Sequence, residues 1–361
     1  AISSPGETVM EVLDIPLMRD AENTLGHYVA ATSSGTTWPG ASISRSLDDV
    51  EFSEAARVSG RGILGVTTTT LGNYTGIGFD ERNTVTVRLS YGTLSSSTRA
   101  GLLADASINN IMIGAELVRF RTATFVSAGI YTLSGLLRGQ KGTEWAMSGH
   151  TSSDVVVLIQ TAGMRYVAID LPSLSAERFY KGVTSGKSLA SVSSESFTCE
   201  GVSLKPLAPV NVRRTVGAAN QITVTWDRRT RLACTFTGAP GIAVPLGELT
   251  EAYEVDVVLI AGSVLKRTLT ASSASAIYTA AMQTADGIGA STPIRFDVYQ
   301  MSAVVGRGYV ASLTTVGAVT PLPQITTLTV GGSFASGAAL YATLGGVTYN
   351  YTSVGGDTNL D

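Results

Sequence analysis

"YTLSGLLRGQKGTEWAMSGH", residues 131–150, decides how the rest of the chain reads. Tyr131, Leu133 and Leu137 alternate along one side, which is the period of a β-strand, and Gly139 and Gly142 supply the turns after it. Arg138 and Glu144 flank those turns, so the expectation is an ion pair across a hairpin, with Trp145 capping the core behind it. A surface pair of that kind contributes about 1 kcal/mol at most.

The same alternation extends outward in both directions. In "TVTVRLSY" (84–91) Val85, Val87, Leu89 and Tyr91 share one face, and "QITVTW" (221–226) and "IRFDVY" (294–299) repeat the rule. Gly and Asn punctuate these runs at about the spacing of antiparallel sandwiches and barrels. The fold class expected is therefore all-β and mainly antiparallel. One segment competes for helix: "SSSTRAGLLADASINNIMIG" (95–114) has Ser and Thr as N-caps, apolar Leu102, Leu103 and Ala106, and Gly114 as its stop.

At 361 residues, two or three domains are expected. Only 15% of residues are charged and 44% are hydrophobic, which argues for folded surfaces covered by partners. A net charge of -3 offers no field for phosphates, so nucleic-acid binding is not expected. No apolar run reaches the ~20 residues of a spanning helix. The first residues lack the basic and apolar regions of a signal peptide, and the missing initiator Met points to a cut or processed chain. Cys199 and Cys234 read as small buried residues, although a bridge between them stays open.

Two proline-rich stretches mark boundaries. "LKPLAPVNVRR" (204–214) carries Pro206 and Pro209, and "GAVTPLPQITT" (317–327) carries Pro321 and Pro323. They divide the chain into a β-rich region, 1–204, a sandwich-sized domain, 205–317, and a Gly-rich β remainder, 318–361, expected to stop inside a domain at the capping residues Asp357, Thr358 and Asn359.

Motifs with catalytic overtones dissolve on inspection. "GRGILG" (60–65) matches a dinucleotide fingerprint in letters, but β-branched "VTTTT" follows where a helix is required. The acidic "LDDVEFSE" (47–54) reads as a solvated turn, because it lacks the spacing and the glycine of a calcium loop. His27 and His150 are the only histidines and have no zinc-ligand spacing; His150 is expected to be a loop or core residue bonded to backbone. No nucleophile elbow accompanies the many serines. "NYT" at Asn73 and Asn350 is a glycosylation pattern with no supporting context. No catalytic residue, cofactor or metal is expected.

The middle region resembles a fibronectin type III domain in "APVNV" (208–212), "ITVTW" with Trp226, Tyr253 in "AYEVDVVLIAG", and "IRFDVYQMSAVVGRGYVA" (294–311). It departs from that family in the insert 228–250, expected to be a docking element.

The opening stretch resembles something more specific. Together with "VLDIPLMRDAENTLGHYVAA" (12–31), "WPGASISRSLDD" (38–49), "FDERNTVTVRL" (79–89) and "GAELVRFRTATFV" (114–126), it resembles the hub region of phage tail-tip and baseplate proteins. The large tail protein of phage-like gene transfer agents has a similar Leu-Leu-Arg-Gly-x-x-Gly-Thr-Glu run. The resemblance covers about residues 9–160. Its matching positions are Pro16, Leu17, Trp38, Pro39, Gly40, Glu116, Phe120, Arg121, Leu136, Leu137, Arg138, Gly139, Gly142, Thr143 and Glu144. In that family these positions are architectural. The resemblance implies a non-enzymatic virion structural protein at the tail tip, a homo-oligomer of trimer type, in contact with distal tail proteins, a fibre or spike, and the host surface. Arg121 and Arg138 would then be fixed by Glu116 and Glu144. The portion that precedes the hub in long family members is not in this sequence, so wall-degrading activity does not carry over.

Two rival readings remain open. One is an adhesin or carbohydrate-binding module that stacks sugars on Trp38, Trp145 or Tyr180. The other is a cell-wall glycan hydrolase using carboxylates near Asp48, Asp49 and Glu51.

Overall fold

The structure, a computed structural model, describes residues 5–232, 244–315, 339–344 and 347–352, the last two ranges as backbone only. The chain splits into two compact units, Ala1–Thr315 and Val316–Asp361.

The first unit opens with β1 (Val9–Leu13), β2 (Gly26–Thr32), β3 (Ala41–Ser46), β4 (Phe52–Val58), β5 (Leu64–Thr67), β6 (Phe79–Asp80) and β7 (Val85–Leu89). After the helix α1 (Arg99–Ala104) come β8 (Asn110–Ile113), β9 (Glu116–Ser127), β10 (Ile130–Leu137), β11 (Val155–Leu158), β12 (Met164–Ala168), β13 (Glu177–Thr184) and β14 (Glu195–Thr198). These strands form three layers. The sheet β6-β10-β7-β5-β11-β8-β9 closes on itself because β9 also pairs with β10, so that β10, β7, β5, β11, β8 and β9 make an antiparallel barrel with β6 attached to β10. The sheet β1-β2-β12 lies in the middle and β14-β13-β3-β4 on the outside.

Burial explains why some strands do not alternate. Inside the barrel, Val85, Val87, Ile111, Ile113, Phe120, Leu133 and Val156 make one core. Leu64, Met112, Leu117 and Val157 point outward and meet Tyr28, Ala30 and Met164 of the middle sheet. That sheet turns Val29, Ala31 and Val167 the other way, against Ile43, Val58 and Tyr180. Both faces of β2 are covered, and all seven of its residues are buried.

The helix is shorter than its sequence suggests. Thr98 caps it by accepting from Gly101 N at 2.9 Å, but it ends at Ala104. Asn109 adopts a left-handed φ of 53°, and the apolar run that follows pairs with both β9 and β11 as a strand. Strand pairing wins over the helical spacing because both faces of β8 are buried.

The remaining strands of this unit are β15 (Val210–Val216), β16 (Ile222–Asp227), β17 (Tyr253–Leu259), β18 (Val264–Ala271), β19 (Ser275–Tyr278), β20 (Ile294–Ser302) and β21 (Gly306–Thr315), with the helix α2 (Ala280–Ala285) between β19 and β20. They form a three-stranded sheet, β15-β16-β19, facing a four-stranded one, β18-β17-β20-β21. Trp226 and Tyr253 pack edge to face at 5.0 Å in the core between the sheets, with Tyr278 and Phe296 beside them. This is a fibronectin-like β-sandwich, and the fold class of the chain is all-β and mainly antiparallel. The middle of the insert, residues 233–243 with Cys234, lies outside the described residues, as does the second proline stretch. Cys199 is buried, its thiol 3.7 Å from Gly26 O.

The second unit contains an antiparallel pair, β22 (Ala339–Leu344) and β23 (Val347–Thr352).

Candidate functional site

The stretch 131–150 begins as β10 and ends as the joint between barrel and sandwich. Tyr131 and Leu133 face the barrel core as their alternation predicts, but Gly135 adopts a φ of +63° and shifts the phase. Leu136 takes the inward position and Leu137 is only half-buried, which corrects the expected inward Leu137.

Arg138 follows, with a fully buried side chain. Its Nε and Nη2 donate to Glu116 Oε1 and Oε2, each at 2.8 Å, and its Nη1 donates to Asp80 Oδ2 at 3.1 Å and to Gly72 O at 2.9 Å. Glu116 Oε1 also accepts from Gly139 N at 2.7 Å. Burial pushes the Asp80 carboxyl up, but bonds from Asn83, Arg82 and Arg138 outweigh it and hold the group below the usual carboxylate range. The Arg138–Glu144 pair expected across the turn is absent because Arg138 points inward to Glu116 while Glu144 points outward. The Glu116–Arg138 pair is present and buried, the class of ion pair whose one-sided removal costs most. Arg121 lies outside this network and forms a bidentate pair with the exposed Glu81 at 2.7 and 2.9 Å.

His150 extends the network. Its Nε2 lies 2.8 Å from Glu116 Oε2 and its Nδ1 2.7 Å from Asp154 Oδ2, so the expected backbone partner is replaced by two carboxylates. Burial lowers its pKa, but the bonds to Glu116 and Asp154 prevail and raise it above the ordinary histidine value.

The turns after Arg138 then build the joint. Gly139, Lys141 and Gly142 all have left-handed φ, at 59°, 52° and 88°. That geometry turns Lys141 back to donate to Leu17 O at 2.9 Å, and burial lowers its pKa. Thr143 Oγ1 accepts from Leu117 N at 3.0 Å and donates to Gln140 O at 2.8 Å. A Cβ on Gly142 would sit 2.3 Å from Leu207 Cδ2, in the stretch leading to the sandwich. Glu144 accepts from Arg229 Nη2 of the sandwich at 2.7 Å. Trp145 is 56% exposed and stacks on Tyr309 with centroids 5.7 Å apart, so it covers the joint rather than the core. Lys205 lies over the other partner of that stack, 4.6 Å from the Tyr309 ring, and Pro206 O accepts from Tyr309 N at 2.9 Å.

The structure therefore gathers Glu116, Arg138, Gly139, Gly142, Thr143 and Glu144 around one turn, and places Trp38, Pro39, Gly40 and Arg121 elsewhere. Trp38 packs beside the outer core with Nε1 donating to Thr8 Oγ1 at 3.0 Å, and Gly40 occupies a φ of +95° against Val58 O. Sequence reasoning missed Asp80, Lys141, Asp154, Arg229 and Tyr309. Asp80 carried a signal in "FDERN", where its Oδ1 accepts from Arg82 N and Asn83 N as a turn-forming carboxylate does.

The rival sites change character in three dimensions. Tyr180 is 1% exposed and unable to stack a sugar. Asp48 closes the exposed β3–β4 turn by accepting from Val50 N and Glu51 N. Among the described residues no group of three or more His, Cys, Asp or Glu could hold a metal ion, and no helix is long and apolar enough to cross a membrane. An open groove of about 630 Å³ is lined by Met18, Tyr28, Ile159 and Met164 together with Arg19, Asp105 and Lys141, so its lining carries both signs of charge.

A family model described as "Rcc01698-like, C-terminal" matches residues 62–157, the span from just before β5 to the end of β11. That match is the barrel. No curated protein matches the chain. Among solved structures, domains d3–d4 of the rat CD45 extracellular region align at 15% identity over 44% of this chain and 73% of that one, with a TM-score of 0.22. Domains A168–A170 of titin align at 7% identity over 86% and 99%, also with a TM-score of 0.22. Scores of that size leave the fold to be judged from the sheet topology itself.

Proposed function

We propose that this chain is a structural component of a phage or phage-like tail tip, acting as a baseplate hub. The observation that carries the reading is the coincidence of the Rcc01698-like match, a family name associated with gene transfer agents, with the closed barrel whose end carries the Arg138 network. In this reading the barrel and its two covering sheets form the body of the hub. The sandwich is an outward module held at a fixed angle by the turn at 139–145. The work is mechanical and involves no catalysis, cofactor or metal. The partners are further copies of the chain in a trimer, distal tail proteins, a fibre or spike, and the host surface, and the location is the tail tip of the particle.

Low surface charge suits a body enclosed by neighbours. The adhesin alternative has less support: Tyr180 is buried, Trp38 is packed, and Trp145 alone of the three keeps an exposed face, the other lying against Tyr309. The test is the mass of the purified chain by light scattering, alone and mixed with tail tubes ending in their distal protein. A trimer, or capture at the tube end, supports the hub. A monomer that ignores the tubes sinks it.

A further inference from the structure

We propose that His150 is a proton-operated latch, which as imidazolium ties the segment 147–154 to the end of the barrel and releases it on losing its proton. The inference goes beyond the tail-tip reading and does not depend on it.

Neutral imidazole has one N–H and one lone pair, whereas both ring nitrogens of His150 face carboxylate oxygens, Glu116 Oε2 at 2.8 Å and Asp154 Oδ2 at 2.7 Å. Three other N–H groups already point at Glu116, from Arg138 Nε, Arg138 Nη2 and Gly139. Both bonds of His150 are therefore made only when both nitrogens carry protons.

The charges around His150 favour the same state. The facing charged groups are Glu116 on β9, Arg138 just after β10, Asp80 on β6 and Asp154 just before β11; Tyr74, from the loop between β5 and β6, covers Arg138 at 6.0 Å. Without the imidazolium, three carboxylates face one guanidinium in a site where the side chains of Arg138, Asp80 and Glu116 are fully buried. Carboxylates left unpaired at such depth are costly.

What the latch holds is a segment without strand pairing. Its two ends are anchored, by Met147 N to Glu144 O at 3.3 Å, Tyr74 N to Met147 O at 3.1 Å and Arg138 Nη2 to the same oxygen at 3.3 Å on one side, and by Asp154 N to Thr67 Oγ1 at 3.0 Å and Thr67 N to Asp154 O at 2.9 Å on the other, while between them lie Gly149 N to Asn73 Oδ1 at 3.4 Å and Thr67 Oγ1 to Thr151 O at 2.9 Å. Gly149, at a φ of +83° with open space around it, provides a hinge.

The direction of the pH effect follows from linkage. The pKa of His150 is raised in the closed state, so the closed state is favoured fully below the ordinary histidine value and loses that advantage as pH rises through the raised one. In that window the opening equilibrium increases by up to about tenfold per pH unit.

The chain has two histidines, so proton NMR of the whole protein resolves each ring. We expect one resonance to titrate above 6.5 and to disappear in His150→Gln. Hydrogen-exchange protection of 147–154, corrected for intrinsic rates, should fall over the same window in the wild type and be independent of pH in the variant. Should His150→Gln not fold, Asp154→Asn, altering a group nearer the surface, should shift the upper titration downward. A His150 resonance titrating at or below 6.5, protection that ignores pH in the wild type, or an Asp154→Asn protein with an unmoved titration overturns the latch.

Discussion

Glu144 pairs with Arg229, 85 residues further along the chain, and not with Arg138, its neighbour across the turn. One acid of the motif thus faces the sandwich while the base before it faces the barrel interior. The turn between them converts a buried network into an attachment.

The attachment should be separable from the fold. Glu144→Ala removes an ion pair that is partly exposed on both sides, 42% and 26%, and such pairs contribute about 0.2–1 kcal/mol. Trp145→Ala removes an aromatic stack worth about 0.5–1.5 kcal/mol beyond its buried area. The double variant should keep the wild-type circular dichroism spectrum while small-angle scattering reports a broader range of barrel-to-sandwich distances.

Arg138 should behave in the opposite way. Replacing it with Ala leaves Asp80 and Glu116 buried without their cation, at a cost of about 3–5 kcal/mol. Lys keeps the charge but cannot reproduce the paired bonds to Glu116. Urea titration should place Arg138→Lys between wild type and Arg138→Ala.

Two glycines of similar φ should respond differently to alanine. Gly142→Ala combines a φ of +88° with a Cβ 2.3 Å from Leu207, and the strain plus the clash predicts a loss of about 2–4 kcal/mol. Gly149→Ala has a φ of +83° but open space, so only the backbone cost of about 1 kcal/mol applies. Thermal denaturation of the two variants side by side tests the difference.

Acid should act through His27. Burial, with the nearby Arg45, lowers its pKa from 6.5 to about 4, and neither ring nitrogen has a partner. A histidine depressed in the folded state stabilises above its unfolded pKa, and that stability is lost as pH falls from about 6.5 toward 4, by roughly 3 kcal/mol. Glu11 has the opposite sign. Burial and Glu195 raise it to about 7, so it favours the fold below the ordinary carboxylate value and ceases to do so as pH rises through 7. In urea midpoints against pH, Glu11→Gln should lessen the decline toward neutral pH, leaving the share of Asp14, which burial raises to about 6, and should keep the acid limb of His27 in place.

Periodicity made the strands legible wherever one face meets solvent or the opposite sheet alone, as in β7, β16 and β20. It was less informative for β2 and β8, buried on both faces, where an unbroken apolar run fits helix or strand equally well. At the site, the residue types of 138–144 announced a fixed corner, and Glu116 was identified as a partner. The choice between Glu116 and Glu144 for Arg138 was not readable, because it depends on the side to which Gly139 directs the chain. Asp80 reaches Arg138, 58 positions away, through the pairing of β6 with β10, and His150 meets Glu116 across 34 positions, bringing in Asp154 as its neighbour four residues on.

The return of β9 onto β10 has a consequence for crowding. A closed ring of strands offers no open row of backbone donors and acceptors to a neighbouring molecule. Copies of the chain held side by side at high local concentration cannot fuse their barrels by strand exchange. Contacts between barrels must instead be made by side chains, whose identity decides which neighbour is accepted.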